Sequence, residues 1–205
     1  TRAALLTGRY PYKLGIQGHG LRPLEPNGLP LGVTTLAEEL KRRGYRTHAF
    51  GKWHLGYCNR SLTPTQRGFD TFRGFYAGSE DYFRHTLSGG KTSPMTKGYD
   101  YRNGDDVDYS SKGAYSTTLI ANHVLSTIEK SKQHEPMFLY VAFQAVHAPL
   151  QVPSRYRKMC SVYVNTKRKK ICEMLAVMDN TVGLLVKKLK EQNMWSNTLF
   201  VFISD

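Results

Sequence analysis

Acidic residues are scarce in this chain. Only 16 Asp and Glu stand against 29 Lys and Arg, which leaves a formal net charge of +13. A surface of that sign suits a polyanion, and both nucleic acid and sulfated polysaccharide qualify. Long apolar runs are missing as well. None approaches the ~20 residues that a membrane-spanning helix needs, so no membrane span is expected. The three cysteines, Cys58, Cys160 and Cys172, lack metal-type spacing. Their odd number permits at most one internal pair. The chain opens without an initiator Met or a targeting segment, and it stops on Asp205 directly after an apolar run. It is therefore expected to be an internal piece of a longer protein, and such a piece does not testify about targeting.

What is present is a chain of 205 residues with 40% hydrophobic content, enough for one domain with a sizeable core. The basic residues are scattered except for Lys167-Arg168-Lys169-Lys170, which reads as a solvated helix end. Asn59-Arg60-Ser61 is a glycosylation sequon, so Asn59 is a candidate acceptor.

The opening residues Thr1 to Arg9 read as a short helix. The Thr1 hydroxyl is suited to cap it, Ala3, Ala4, Leu5 and Leu6 favour it, and Gly8 ends it. Arg2 and Arg9 bracket this short apolar helix, whose amino end would attract an anion. Tyr10 to Leu31, rich in Gly and Pro and containing His19, reads as a surface loop. Thr34 or Thr35 is expected to cap a helix through Arg43, with Leu36 and Leu40 on one face and Gly44 closing it. Tyr45 to Phe50 reads as a strand and completes an αβ unit. That strand delivers Gly51-Lys52-Trp53-His54-Leu55-Gly56. Ligands of open α/β sheets sit beyond the carboxyl ends of strands. There Lys52 offers a point charge, and His54 offers a hydrogen bond or a proton. A surface lysine and a packed histidine beside Trp53 fit the same string.

Tyr82 to Lys112 is polar and aperiodic and reads as an excursion that borders the site. Its Asp105, Asp106 and Asp108 lack EF-hand spacing and read as a solvated loop. Thr118 to Lys130 has helical periodicity through Leu119, Ile120, Val124, Leu125 and Ile128. Met137 to Phe143 is apolar throughout, as a buried parallel strand should be, and its end delivers His147. Thr166 to Gln192 reads as a long helix with Ile171, Met174, Leu175, Met178, Val182, Leu185 and Leu189 on its core face. Asp179 lies near that face and receives no catalytic role. Thr198 to Ile203 reads as a third buried strand, with Asp205 at its carboxyl end.

Thr1-Arg2 with Leu6-Thr7-Gly8-Arg9 resembles the tail of the sulfatase signature, Cys-x-Pro-Ser/Thr-Arg followed by Leu-Thr-Gly-Arg. Gly51-Lys52-Trp53-His54-Leu55-Gly56 is similar to a second sulfatase signature. With Arg67-Gly68-Phe69-Asp70, Gly78-Ser79-Glu80-Asp81-Tyr82 and His147-Ala148-Pro149-Leu150-Gln151-Val152-Pro153, the chain resembles the arylsulfatase B, I and J group. The resemblance implies an alkaline-phosphatase-like α/β sandwich, with a mostly parallel central sheet flanked by helices. Residues 1–205 would form part of a single sulfatase catalytic domain, truncated at both ends.

The same resemblance implies hydrolysis of sulfate esters by a formylglycine nucleophile and one calcium ion. The formylglycine would derive from a Cys just before Thr1, matured by the formylglycine-generating enzyme. Arg2 would hold it, Lys52 would bind a sulfate oxygen, and His54 would orient the nucleophile. His147 would bind the sulfate or protonate the leaving oxygen. Asp205 would ligate calcium. Arg9 would support the nucleophile loop. The implied substrate is a sulfated glycan or an aryl sulfate, with N-acetylgalactosamine 4-sulfate of chondroitin or dermatan sulfate as the group's pointer. No nucleic acid partner is implied, and the location is lysosomal or secreted, through the endoplasmic reticulum. The nucleophile Cys, an amino-terminal aspartate pair, an Asn after Asp205 and a later lysine are absent from these residues. Two other readings are a non-catalytic module that holds sulfated glycans and a phosphate-ester hydrolase of the same superfamily. The Leu-Thr-Gly-Arg string argues against the second.

Overall fold

The structure is a computed structural model and describes residues 1–18, 20–87, 98–132 and 135–204. Its sheet contains β1 (Arg46–Lys52), β2 (Thr71–Phe75), β3 (Tyr101–Asn103), β4 (Asp106–Val107) and β5 (Met137–Ala142), in the order β4-β3-β2-β1-β5. β1 pairs in parallel with both β2 and β5, whereas β3 and β4 extend the sheet in antiparallel fashion.

Successive strand residues point to opposite faces, and β1 feeds two cores in this way. Ala49 joins Ala3, Leu6, Ala37 and Phe72, while Phe50 joins Ile120, Val124, Ile128, Leu185 and Leu189. The partners in β5 divide likewise, Phe138 and Tyr140 to the first cluster and Leu139 and Val141 to the second. Helices α1 (Arg2–Thr7) and α2 (Leu36–Arg42) therefore cover one face. Helix α3 (Ser116–Lys130), backed by α4 (Thr166–Glu191), covers the other.

Several local expectations need correction. α1 stops at Gly8, whose N–H meets the Ala4 carbonyl, but Thr1 at its cap position makes no side-chain capping bond. Thr35, rather than Thr34, caps α2 through a reciprocal box with Glu38. The buried Thr35 hydroxyl also donates to the Arg67 carbonyl at 3.0 Å, and this anchor turns Ala37 inward and leaves Leu36 exposed.

Of the excursion 82–112, residues 88–97 lie outside the described residues, and the described parts are structured. Tyr101 is fully buried, and β3 and β4 close the sheet edge. Asp105 is bound rather than merely solvated: its Oδ1 accepts from the hydroxyls of Thr63, Thr65 and Tyr76, and its Oδ2 from Arg60. Asp108 accepts from Ser110, Ser111 and Arg73.

In α4 the buried stripe is Met174, Val177, Thr181, Leu185 and Leu189, at steps of three and four. It meets the loop cluster near its start and α3 near its end, so Leu175 and Asp179 face outward. The apolar stretch from 198 to 203 is the largest departure, because it forms no ladder and Leu199 is 91% exposed. A strand exists through its neighbour's hydrogen bonds. Among the described residues β5 pairs only with β1, and no strand pairs with 198–203.

Candidate active site

The carboxyl ends of β1 and β5 lie side by side, with Gly51 opposite Ala142. Gly51 adopts φ +90, and a Cβ there would stand 2.1 Å from the Ala142 carbonyl oxygen. Only glycine accepts both the conformation and the contact. This crowded crossing directly precedes Lys52, the last residue of β1, which is 7% exposed. The reading of Lys52 as a surface lysine therefore fails.

Arg2 meets Lys52. Its Nη1 donates to the Lys52 carbonyl at 2.9 Å and to the Tyr140 hydroxyl at 3.0 Å. The start of α1 is thereby fastened to the ends of both parallel strands. His54 follows two residues later at φ +57. Its Nε2 lies 3.0 Å from the Leu21 carbonyl. A carbonyl only accepts, so the neutral ring carries its proton on Nε2 and presents Nδ1 as the acceptor. The ring is wedged between Gly20 and Gly78, where a Cβ at either would approach to 2.8 Å.

His147 lies on the loop beyond β5, at the same sheet edge, and is exposed. Its Nδ1 lies 2.7 Å from the Ala148 carbonyl, so the neutral ring carries its proton on Nδ1 and has Nε2 as an acceptor. The structure thus bonds Arg2 to Lys52 and brings His54 and His147 to the same edge, each tethered to its own loop. Asp205 lies outside the described residues. Arg9 is exposed, and its backbone N–H meets the Thr7 hydroxyl at 3.2 Å. Asn59 is exposed, and its Oδ1 accepts from the Ser61 N–H and hydroxyl at 3.0 Å each.

Calcium needs about six to eight oxygen ligands. Among the described residues no group of three or more His, Cys, Asp or Glu is placed to hold a metal ion. The groups gathered at this edge are Arg2, Lys52 and two histidines, which do not make a calcium shell by themselves.

Several residues that shape the site were missed as side chains, although their strings were singled out. Gln144 is 3% exposed, accepts from the Glu80 N–H at 3.0 Å and donates to the Glu80 carbonyl at 2.7 Å. Gln151 accepts from the Tyr82 N–H and donates to Asp81. Between them the Tyr82 hydroxyl donates to the His147 carbonyl at 2.9 Å. Two side-chain amides and a phenol therefore staple the His147 loop to residues 80–82. Beneath the staple, Glu80 and His85 form a fully buried pair at 2.8 Å, and Ser116 donates to the same Glu80 oxygen. Burial pushes the Glu80 carboxyl up to about 7, against the opposing pull of its His85 and Ser116 hydrogen bonds. Arg67 is buried, and its guanidinium bonds Glu38 and the carbonyls of Leu29 and Val33. Its work is to clamp the loop before α2.

Arg2, Lys52, His54 and His147 thus lie at or just beyond the carboxyl ends of the parallel strands, where ligands of open α/β sheets sit. The sulfatase family model matches residues 1–205, and the chain belongs to the sulfatase family. Arylsulfatase J of Mus musculus is 39% identical over the whole chain, and an arylsulfatase of Hemicentrotus pulcherrimus is 33% identical. The chain spans 34% and 37% of the length of those two relatives. Among solved structures, Ps i-CgsB in complex with k-i-k-neocarrahexaose matches 96% of this chain and 45% of its own, with a TM-score of 0.84 and 30% identity. The PsFucS1 sulfatase from Pseudoalteromonas sp. shares the fold, with a TM-score of 0.72 over 94% of this chain and 42% of its own, at 22% identity. The architecture is the alkaline-phosphatase-like sandwich.

Proposed function

We propose that the chain is part of a sulfatase catalytic domain that hydrolyses sulfate esters. One observation carries the reading beyond family membership: Arg2 is bonded to the backbone of Lys52, so the start of α1 and a buried strand-end cation share one point. A formylglycine ahead of Thr1, made by the formylglycine-generating enzyme, supplies the oxygen nucleophile of such chemistry. Arg2 fixes the chain next to that position. The Lys52 ammonium binds a sulfate oxygen and counters the negative charge that builds as the ester bond breaks. His54, through Nδ1, orients the attacking oxygen. His147, when its ring also carries a proton on Nε2, binds the sulfate or gives that proton to the leaving oxygen. Asp205 would ligate one calcium ion, which would supply positive charge to the sulfate oxygens.

The substrate class is a sulfated glycan, with N-acetylgalactosamine 4-sulfate as the specific proposal. The Cys160–Cys172 disulfide and the exposed Asn59 sequon support a lysosomal or secreted location.

Steady-state kinetics of Lys52→Ala in the full-length protein tests the proposal. Loss of an aimed charge donor lowers kcat by about 10²–10³, with a smaller change in KM. Lys52→Arg does not rescue fully, because a planar fork does not replace a point charge. Near wild-type kcat in a folded Lys52→Ala protein removes Lys52 from the site.

A further inference from the structure

The sequence from 153 to 172 holds seven Lys and Arg and no Asp or Glu. Arg155, Arg157, Lys158, Lys167, Arg168 and Lys170 are all exposed. Some cations elsewhere on the surface are paired locally. Glu39 serves both Arg42 and Arg43, and Glu191 serves both Lys187 and Lys188. Among the described residues none of the seven basic residues forms an ion pair. The next carboxylate along the chain, Glu173, is 2% exposed and so turned away from them.

This charge stands on a fixed support. The Cys160–Cys172 disulfide ties the loop to α4. Asn165 caps that helix by accepting from the Arg168 N–H at 3.0 Å. Tyr156 is buried, and its hydroxyl accepts from Asn180 Nδ2 at 3.1 Å. Tyr156 and Val152 pack in one cluster with Met174, Val177 and, from the His147 loop, Val146 and Leu150. The basic segment is thus continuous with the loop that carries His147.

We propose that this segment is an exosite for a sulfated glycan chain, holding the polymer beside the catalytic edge. Seven uncompensated charges on a pinned support attract a polyanion over several ångströms and lose little freedom on binding it. The inference rests on the sulfatase reading for its choice of polyanion, since the segment adjoins the proposed sulfate-ester site. A nucleic acid would satisfy the charge alone.

The test compares the full-length protein with K167E/R168E/K170E and with the milder K167Q/R168Q/K170Q, each checked by thermal unfolding. Three readouts are taken: binding to chondroitin sulfate chains over a salt series, competition by a single-stranded oligonucleotide, and turnover of a small aryl sulfate. Charge reversal should weaken chondroitin sulfate binding by about tenfold or more and flatten its salt dependence, with neutralisation intermediate. The kcat/KM for the small aryl sulfate should stay within about twofold, because a small ester does not span the segment. Unchanged polymer binding in the folded charge-reversed protein overturns the proposal. So does an oligonucleotide that displaces the glycan at lower concentration. Absence of aryl sulfate turnover in the unaltered protein sinks the sulfatase reading instead, and the binding ratio still judges the surface.

Discussion

The Arg2 guanidinium donates from one nitrogen to both the Lys52 carbonyl and the Tyr140 hydroxyl, at 2.9 and 3.0 Å. Residues separated by 138 positions in sequence are fastened at one point. Hydrogen bonds from a charged donor contribute about 1.5–3 kcal/mol. Tyr140→Phe should therefore cost about 1–2 kcal/mol in urea unfolding. Arg2→Lys keeps the charge and loses the fork, so turnover should fall more than stability does. Equal stability of Tyr140→Phe and wild type would show that the bond contributes nothing.

Gln144 satisfies both backbone groups of Glu80 from a buried position. Gln144→Leu keeps the bulk and strands a buried N–H and a buried carbonyl. Each such group costs about 1–3 kcal/mol, so the variant should lose about 2–5 kcal/mol of stability. Tyr82→Phe removes the bond to the His147 carbonyl together with the hydroxyl's contact to the Gln144 side chain. It should lower kcat several-fold and alter the pH profile on the His147 limb, while the melting temperature moves little. A purely structural Tyr82 would move the melting temperature and leave the profile alone.

Burial pushes the Glu80 carboxyl up to about 7 from its ordinary 4.5. The folded chain then binds more protons than the unfolded chain between those values, so Glu80's contribution to stability falls as pH rises through that window. Glu80→Gln keeps an acceptor for His85 and Ser116 and removes the titration. The stability difference, variant minus wild type, should grow from pH 5 to pH 8. A difference that is flat with pH would mean that Glu80 titrates normally.

The Cys160–Cys172 bridge spans 12 positions. Closing a loop of that size stabilises by about 3 kcal/mol in the chain-entropy view. Cys160→Ser with Cys172→Ser should lower stability by about 2–3 kcal/mol and blunt glycan binding by loosening the basic segment. Peptide mapping after alkylation without reductant should label the exposed Cys58 and leave the other two unmodified.

The layered core was legible because its elements announce themselves locally. β1, β5, α3 and most of α4 show runs or periodicities that a sequence displays directly. The antiparallel edge was hidden, since β3 and β4 are three and two residues long and Tyr101 is the one buried residue in them. The stretch 198–203 misled in the opposite direction. Its apolar residues read as a core strand, yet pairing depends on a neighbour rather than on composition. At the site, the strand-end position of Lys52, His54 and His147 followed from the order of strands. The staple did not, because Gln144 and Glu80 stand 64 residues apart and neither residue type hints at the other.

Gly51 and Gly74 meet backbone to backbone, where a Cβ on Gly74 would stand 2.0 Å from the Gly51 carbonyl oxygen. The spot just ahead of Lys52 is therefore closed to variation from both strands at once. A library randomised there should return glycine at both positions, and single changes at one should find no suppressor at the other. Any change in what this sheet edge binds would have to enter through the surrounding loops, with the strand ends carried along unchanged.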